Sequence, residues 1–299
     1  MALDSTLEPV ARASWERPDR PHWRTGRQRV ILDDCLAGMK ELPTAYVDVV
    51  VTSPPYNIGV AYGSYDDRRP REEYLAWLTK VGTEIARVLT DGGSFFLNIG
   101  GINSDPWITM EVASAFRETF QLQNHILWAK SLSIGEDTVG HFKPITSRRF
   151  LNHNHEAIFH FTKTGAVEVD RLSVGVPFKD KSNIARWGHE RDRRCAGNVW
   201  FIPYRTVRSK AQKFDHPAGF PVELPERCIK LHGIDDAVVL DPFLGAGSTL
   251  VAAERLGCEG IGFEVDPIYA QSALARIRSE VDCPHLDAGG AMSLPRAAR

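Results

Sequence analysis

The apolar positions of this chain follow two alternating periodicities, one typical of buried strands and one typical of helices. Residues 47–52 (VDVVVT) form a β-branched run, which indicates a strand buried on both faces. Residues 71–89 instead repeat Leu, Ile and Val at the spacing of one helical face. The remaining pattern predicts strands at 28–33, 94–99, 124–128, 156–162, 237–240 and 260–263, and helices at 34–42, 107–120, 221–231, 246–256 and 267–281. Strands that alternate with helices predict an α/β fold with a mostly parallel sheet.

Three segments interrupt this alternation. Residues 1–27 are rich in Arg, Pro and Trp and lack periodicity, so we predict an irregular N-terminal arm. Residues 131–215 contain only one of the predicted strands, and we interpret them as an inserted recognition region. Residues 282–299 are mostly small and polar, which predicts a flexible tail. The folded domain is therefore expected to combine residues 28–130 with residues 216–281.

The composition is that of an ordinary globular protein. Hydrophobic residues make up 43% and charged residues 25% of the 299 positions, which excludes disorder as the main state. We find no apolar run long enough for a membrane span and no signal-peptide pattern, so we expect no membrane partner. The five cysteines are scattered without a Cys-x-x-Cys pair, which argues against a disulfide framework or a zinc cluster. A reducing, cytoplasmic location fits this pattern.

The net charge of −2 hides an uneven distribution of charge. Residues 131–215 hold 15 Lys and Arg against 9 Asp and Glu, a balance of +6. The rest of the chain holds 21 against 29, a balance of −8. A basic segment in an otherwise acidic protein indicates either a nucleic-acid surface or a solvated basic face.

A strand, a glycine loop and a helix start follow one another at residues 238–249 (VVLDPFLGAGST), and the next strand ends in Glu264. Glycines let a backbone approach a ligand closely, and an acidic residue at the tip of the next strand can bind ribose hydroxyls. The loop lacks the third glycine of the dinucleotide fingerprint, so Asp241 and Glu264 together favour a nucleoside ligand without a pyrophosphate. The alternative is a turn whose glycines only relieve crowding.

A second loop, Thr52-Ser53-Pro54-Pro55-Tyr56-Asn57, leaves the carboxyl end of the buried strand at residues 47–52. Ligands of open α/β sheets bind at the carboxyl ends of the strands, so this loop should face the same crevice as the glycine loop. By itself the loop is equally explained as a proline-rich turn with a core tyrosine. Its position beside a nucleoside-type loop favours a functional role.

Residues 52–57 and 241–249 together closely resemble the S-adenosylmethionine-dependent amino-methyltransferases of DNA, whose hallmark is (Asp/Asn/Ser)-Pro-Pro-(Tyr/Phe/Trp). The order of parts resembles the β group of that family, and the resemblance spans about residues 28–281. It implies a Rossmann-like, doubly wound methyltransferase fold in which residues 131–215 recognise the target. It also implies S-adenosylmethionine as cofactor, and a bacterial or archaeal, nucleoid-associated enzyme.

The resemblance also implies roles for individual residues. The side chain of Ser53 and the carbonyl of Pro54 would accept the N–H groups of the target amine, Pro55 would complete the motif, and Tyr56 would stack on a flipped-out base. The implied cofactor residues are Asp34 and Cys35 near the adenine, Glu264 near the ribose, His216 and Pro217 near the methionine end, and the loop residues Asp241, Pro242, Phe243, Gly245, Gly247, Ser248 and Thr249. The candidate DNA contacts are Arg148, Arg149, Arg191, Arg193, Arg194 and Arg205. No metal is predicted, because the methyl donor is already cationic.

The first residue of the motif bears on the target base. In the family, Ser-Pro-Pro-Tyr most often accompanies methylation of cytosine at N4, so we expect a sequence-specific enzyme of that kind acting on double-stranded DNA. Adenine N6 is the closest alternative, followed by an RNA methyltransferase and a non-catalytic DNA-binding module. Methylation at cytosine C5 is not expected, because the chain has no Pro-Cys dipeptide. A homodimer and a cognate restriction endonuclease are further candidate partners.

Overall fold

The computed structural model describes residues 21–60, 64–140, 145–186, 188, 191–203 and 219–282. The strands are β1 (His22–Thr25), β2 (Gln28–Leu32), β3 (Val47–Thr52), β4 (Leu89–Ile99), β5 (Gln121–Ala129), β6 (Ser131–Ile134), β7 (Asp137–Gly140), β8 (His155–Thr162), β9 (Val199–Phe201), β10 (Val238–Asp241) and β11 (Glu259–Glu264). The helices are α1 (Cys35–Glu41), α2 (Arg71–Val88), α3 (Ile108–Ser114), α4 (Ser182–Arg186), α5 (Glu223–His232), α6 (Ser248–Arg255) and α7 (Pro267–Asp282).

Nine of the strands form one mixed sheet in the order β1-β2-β11-β10-β3-β4-β8-β5-β9. The five strands from β2 to β4 in this order are parallel to one another. All six residues of β3 are buried, as the β-branched run predicts for a central parallel strand. The predicted strands and helices of the parallel part are thus confirmed, with boundaries that shift by a few residues.

Helices cover both faces of the sheet, which confirms the doubly wound α/β class. Val50 packs into the core cluster formed with α1, α2 and α3. Its neighbours Val49 and Val51 point to the other face and pack with α5 and α6. Within the described ranges, no helix is both long and apolar enough to cross a membrane.

The edges of the sheet differ from the sequence predictions in two places. Residues 22–25, predicted as part of an irregular arm, form β1, which pairs antiparallel with β2. This strand covers the edge that β2 would otherwise expose, and its four residues are too few for a clear periodicity. At the other side, β8 lies antiparallel between β4 and β5. The boundary predicted at residue 131 therefore does not separate the sheet from the inserted region, because β8 and β9 of that region complete the sheet.

Two buried histidines share the hydroxyl of Ser94. Nε2 of His160 and Nδ1 of His232 each lie 3.0 Å from the Ser94 oxygen. The amide of Asn124 donates to Nδ1 of His160 (3.0 Å), so Nε2 of His160 is the protonated nitrogen. Burial lowers the pKa of His160 to about 4 and also lowers the pKa of His232. Both rings are therefore neutral in the folded protein at pH 7.

Mild acid is expected to destabilise the protein more than it destabilises a His160→Gln variant. The unfolded chain protonates His160 near pH 6.5, whereas the folded chain keeps it neutral down to about pH 4. The unfolded state then binds more protons, so the free energy of unfolding falls as the pH falls. Between pH 7 and pH 5 the wild type should lose about 2 kcal/mol beyond any loss in the variant. Urea unfolding of both proteins at the two pH values measures this difference, and parallel pH curves would contradict the prediction.

Candidate active site

A cavity of about 490 Å³ opens at the carboxyl ends of the parallel strands. Its walls include the loops that follow β2, β3, β10 and β11, as expected for an open α/β sheet. The predicted catalytic and cofactor loops therefore share one site. The predicted residues that line it are Asp34, Cys35, Ser53, Pro54, Pro55, Tyr56, Pro242, Phe243, Gly245, Ser248 and Glu264.

The carboxylate of Glu264 joins two of these loops. One oxygen accepts a hydrogen bond from the Gly245 N–H (2.8 Å), and the other accepts one from the Asp266 N–H (2.9 Å). Burial raises the pKa of Glu264, although these two donors act in the opposite direction. The side chain is thus held at the cavity wall in a fixed orientation, with lone pairs left over for a ligand hydroxyl.

Across the cavity, Asp34 and Cys35 begin α1. Asp34 caps the helix, because its Oδ1 accepts hydrogen bonds from the Leu36 N–H (3.0 Å) and the Ala37 N–H (3.1 Å). Burial raises the pKa of the Cys35 thiol, so this cysteine is no nucleophile at neutral pH. The pair forms a rigid wall opposite Glu264.

Three residues of the glycine loop lie behind the cavity wall and do not line it. Asp241 is 1% exposed and accepts hydrogen bonds from the hydroxyls of Thr52 (2.6 Å) and Thr249 (2.7 Å) and from the Phe243 N–H (3.0 Å). Gly247 turns the chain into α6 with φ 78°, a conformation that favours glycine. The prediction that Asp241, Gly247 and Thr249 contact the cofactor is therefore corrected, because their polar groups are used to fix the loops to each other.

The catalytic loop is held by a hydrogen-bond network that centres on the hydroxyl of Tyr56. Ser53 donates to this hydroxyl (3.0 Å), and Tyr56 donates to Oε2 of Glu156 (3.1 Å). The amide of Asn98 donates to both the Tyr56 oxygen (3.0 Å) and Glu156 (2.8 Å). The ammonium of Lys130 forms an ion pair with the other oxygen of Glu156. Burial and the neighbouring Glu156 charge raise the pKa of Tyr56, so its hydroxyl stays neutral.

Further contacts fix the backbone on both sides of this network. The hydroxyl of Tyr74 donates to the carbonyl of Pro55 (2.6 Å), which fastens the two prolines to α2. The buried carboxylate of Asp67 accepts hydrogen bonds from the N–H groups of Asn57 (2.8 Å), Ile58 (3.1 Å) and Val60 (2.9 Å). The motif loop is therefore preorganised by its own surroundings.

Sequence reasoning missed Asn98, Lys130 and Glu156. Asn98 stands near the carboxyl end of a strand that the sequence does predict, so its place beside the motif was accessible from the topology rule. Glu156 starts β8, and only the antiparallel insertion of that strand brings it to this edge of the sheet. Lys130 reaches the site because β5 pairs with β8. Trp200, considered as either core or base-stacking, is buried in the core.

The candidate DNA contacts lie away from the cavity lining. Arg148, Arg149, Arg191, Arg193 and Arg194 are exposed in the inserted region, as phosphate contacts require. The guanidinium of Arg193 also donates to the carbonyl of Gly175 (2.7 Å), which fixes its position. Three predicted site residues lie outside the described residues, namely Arg205, His216 and Pro217.

Comparison with known proteins identifies the family. A family model for DNA methylases of the N6 and N4 type matches residues 47–275. The Type II methyltransferase M.ScaI of Streptomyces caespitosus is 28% identical over 93% of this chain and 89% of its own length. The DNA adenine methyltransferase YhdJ of Escherichia coli (strain K12) is 28% identical over 83% of this chain and 82% of its own.

Two solved structures resemble the fold closely. The PvuII DNA methyltransferase (cytosine-N4-specific) superimposes with a TM-score of 0.62 at 19% identity, covering 85% of this chain and 92% of that one. A DNA modification methylase of Thermus thermophilus, TTHA0409, solved in complex with S-adenosyl-L-methionine, gives a TM-score of 0.56 at 26% identity, covering 84% and 94%.

The chain belongs to the N6 and N4 DNA methylase family. It is an S-adenosylmethionine-dependent DNA amino-methyltransferase, which confirms the predicted family, fold class and cofactor. The cavity fits this cofactor, because it is the size of a small-molecule site and combines fixed carboxylates with the rings of Trp77 and Phe243, whose centres lie 5.4 Å apart.

Proposed function

We propose that this enzyme methylates cytosine at N4 within a short sequence of double-stranded DNA, with the target base flipped into the cavity. The observation that carries the proposal is Ser53 at the first position of the motif, at the cavity wall. Its hydroxyl proton is committed to Tyr56 (3.0 Å), so its lone pairs are left to accept an N–H of the target amine.

The neighbouring residues complete the binding of the amine. Pro54 lines the cavity and offers a carbonyl without a competing N–H. A second N–H of the amine would bind there, which draws the nitrogen lone pair out of conjugation with the ring. The ring of Tyr56 would stack on the flipped base and offset part of the stacking lost from the duplex. Bound S-adenosylmethionine supplies an activated methyl group, and the protein supplies orientation.

Adenine N6 is the second candidate target. The name of YhdJ describes an adenine enzyme, whereas the name of the PvuII protein describes cytosine N4. The similarity to the PvuII protein, at 19% identity, supports only the fold. The choice of cytosine therefore depends on the motif, in which a serine replaces the aspartate that mostly accompanies adenine.

The test is mass spectrometry of nucleosides from unmethylated plasmid DNA after incubation with the purified protein and S-adenosylmethionine. N4-methylcytosine is the expected product. N6-methyladenine would keep the enzyme class and overturn the assignment of the base. A product found only in RNA, or binding of DNA without any methylated product, would overturn the proposed reaction on DNA.

We further propose that Glu264 binds the ribose hydroxyls of the cofactor. Glu264→Ala is expected to raise the dissociation constant for S-adenosylmethionine by about 10- to 100-fold, because charge-assisted hydrogen bonds contribute roughly 1.5–3 kcal/mol. The affinity for DNA should change much less, since Glu264 lies at the cofactor side of the cavity. Calorimetric titration with each ligand measures both constants, and equal losses would contradict this role.

The inserted region is proposed to read the target sequence, with its exposed arginines on the phosphates. The Type II name of M.ScaI supports a cognate restriction endonuclease as a functional partner. A homodimer remains a proposal from the family resemblance, and sedimentation of the purified protein tests it.

A further inference from the structure

A continuous chain of hydrogen bonds connects the catalytic motif to a carboxylate that the motif does not contain. It runs from Ser53 Oγ to the Tyr56 hydroxyl (3.0 Å) and from there to Glu156 Oε2 (3.1 Å). The direction of both donors is fixed, because the carboxylate can only accept and the Asn98 amide already donates to the Tyr56 oxygen. Each hydroxyl in the chain thus points its proton towards Glu156.

We propose that Glu156 is the final acceptor of the proton that the target amine loses during methyl transfer, and that Ser53 and Tyr56 relay it. The inference rests on the proposed function, because it requires Ser53 to hold the target amine. It assigns a role to a residue 100 positions away from the motif, on a strand that enters the sheet antiparallel.

The step balances as a concerted shift of three protons. The amine nitrogen forms a bond to the methyl carbon, and the carbon–sulfur bond breaks with its electron pair remaining on sulfur. The nitrogen gives one proton to Ser53 Oγ, Ser53 gives its own proton to the Tyr56 oxygen, and Tyr56 gives its proton to Glu156. The products are a neutral methylated amine, two hydroxyls as before, and a carboxylic acid that later releases its proton to solvent.

The surroundings of Glu156 suit this role. A serine hydroxyl is a weak proton acceptor compared with the carboxylate of Asp-Pro-Pro-Tyr motifs, so a site that begins with serine needs a base elsewhere. The side chain of Glu156 is 14% exposed, and its charged form is balanced by Lys130. Gly100 leaves room for the contact, since a Cβ there would lie 2.9 Å from the Tyr56 ring and 3.1 Å from Glu156.

The test uses single-turnover methyl transfer by the full chain on its DNA substrate, with sodium formate as a substitute carboxylate. Glu156→Ala is expected to slow the transfer about a hundredfold, the usual contribution of a positioned base. Formate should fill the space left by the side chain and restore most of the rate, whereas sodium chloride at the same ionic strength should not. NMR of carbon-13 formate should detect binding to Glu156→Ala and not to the wild type, independently of activity.

The matched control is Tyr56→Phe, which keeps the ring and interrupts the relay before Glu156. It should also be slow, and formate should not rescue it. If Glu156→Ala does not fold, Lys130→Met combined with Glu156→Gln removes both charges with little change in volume. That variant should bind S-adenosylmethionine normally and still be about a hundredfold slow.

The outcomes separate this proposal from the proposed function. Wild-type rates in Glu156→Ala, or loss of rate without formate rescue while formate binds, would overturn the relay. A wild type that methylates adenine overturns only the target base, because the same relay can be measured on that product. A wild type that methylates no DNA overturns the proposed function itself.

Discussion

Tyr56→Ala is expected to be the slowest single variant of the catalytic loop while still binding S-adenosylmethionine. The substitution removes the hydroxyl that joins Ser53, Asn98 and Glu156, and it also removes the ring proposed to hold the flipped base. Stacking of a base on an aromatic ring contributes roughly 1–3 kcal/mol. Tyr56→Ala should therefore lie a further factor of roughly 10 to 100 below Tyr56→Phe, which loses only the hydroxyl.

Single-turnover rates on a DNA substrate, together with calorimetric titration of the cofactor, measure both parts of this prediction. The dissociation constant for S-adenosylmethionine should stay within about threefold of the wild-type value, a change under roughly 1 kcal/mol. Equal rates for the Phe and Ala variants would show that the ring does not hold the base. A large loss of cofactor affinity in both would show that the loop has collapsed, contrary to its support by Tyr74 and Asp67.

The central fold could be predicted from sequence because its signals are local. The β-branched run of β3 and the two prolines after it mark a buried strand that ends abruptly in a loop. The rule that ligands bind at the carboxyl ends of parallel strands then places the motif loop and the glycine loop together. The shared cavity confirms that placement.

The order of strands beyond β4 could not be predicted in the same way. The sequence shows that residues 156–162 form a strand, but pairing between β8 and its neighbours depends on long-range contacts. Its antiparallel direction brings Glu156 to the edge where the parallel strands end. The most polar part of the active site was therefore invisible to motif reading, although each residue in it is plain in the sequence.

The interpretation of Asp241 failed for a different physical reason. An acidic residue at a strand tip is equally suited to bind a ligand or to tie neighbouring loops together, and sequence spacing does not distinguish the two. The structure separates them, since Glu264 lines the cavity and Asp241 lies behind it. Asp241 thus stabilises the shape of the site and has no direct contact with the cavity.

Asp241→Ala is accordingly expected to lower the free energy of unfolding by about 3–5 kcal/mol, because it leaves several buried donors without their acceptor. Those donors are the hydroxyls of Thr52 and Thr249 and the N–H of Phe243. Thermal or urea unfolding measures the change. A loss below about 1 kcal/mol, on the scale of an ordinary surface substitution, would contradict the structural role.

Asp241→Asn is the matched control, and it should behave differently with pH. Its carbonyl oxygen keeps the bonds from Thr52 and Phe243, while the Thr249 hydroxyl can turn to the Val51 carbonyl, 3.2 Å away. Burial raises the pKa of Asp241 from 3.8 to about 6, so the folded state holds this proton more tightly than the unfolded state. The resulting stabilisation is largely present at about pH 4 and is lost as the pH rises through 6. The wild type should therefore lose about 2–3 kcal/mol relative to Asp241→Asn between pH 4 and pH 7. Unfolding curves that stay parallel across this range would show that burial does not destabilise the charged carboxylate.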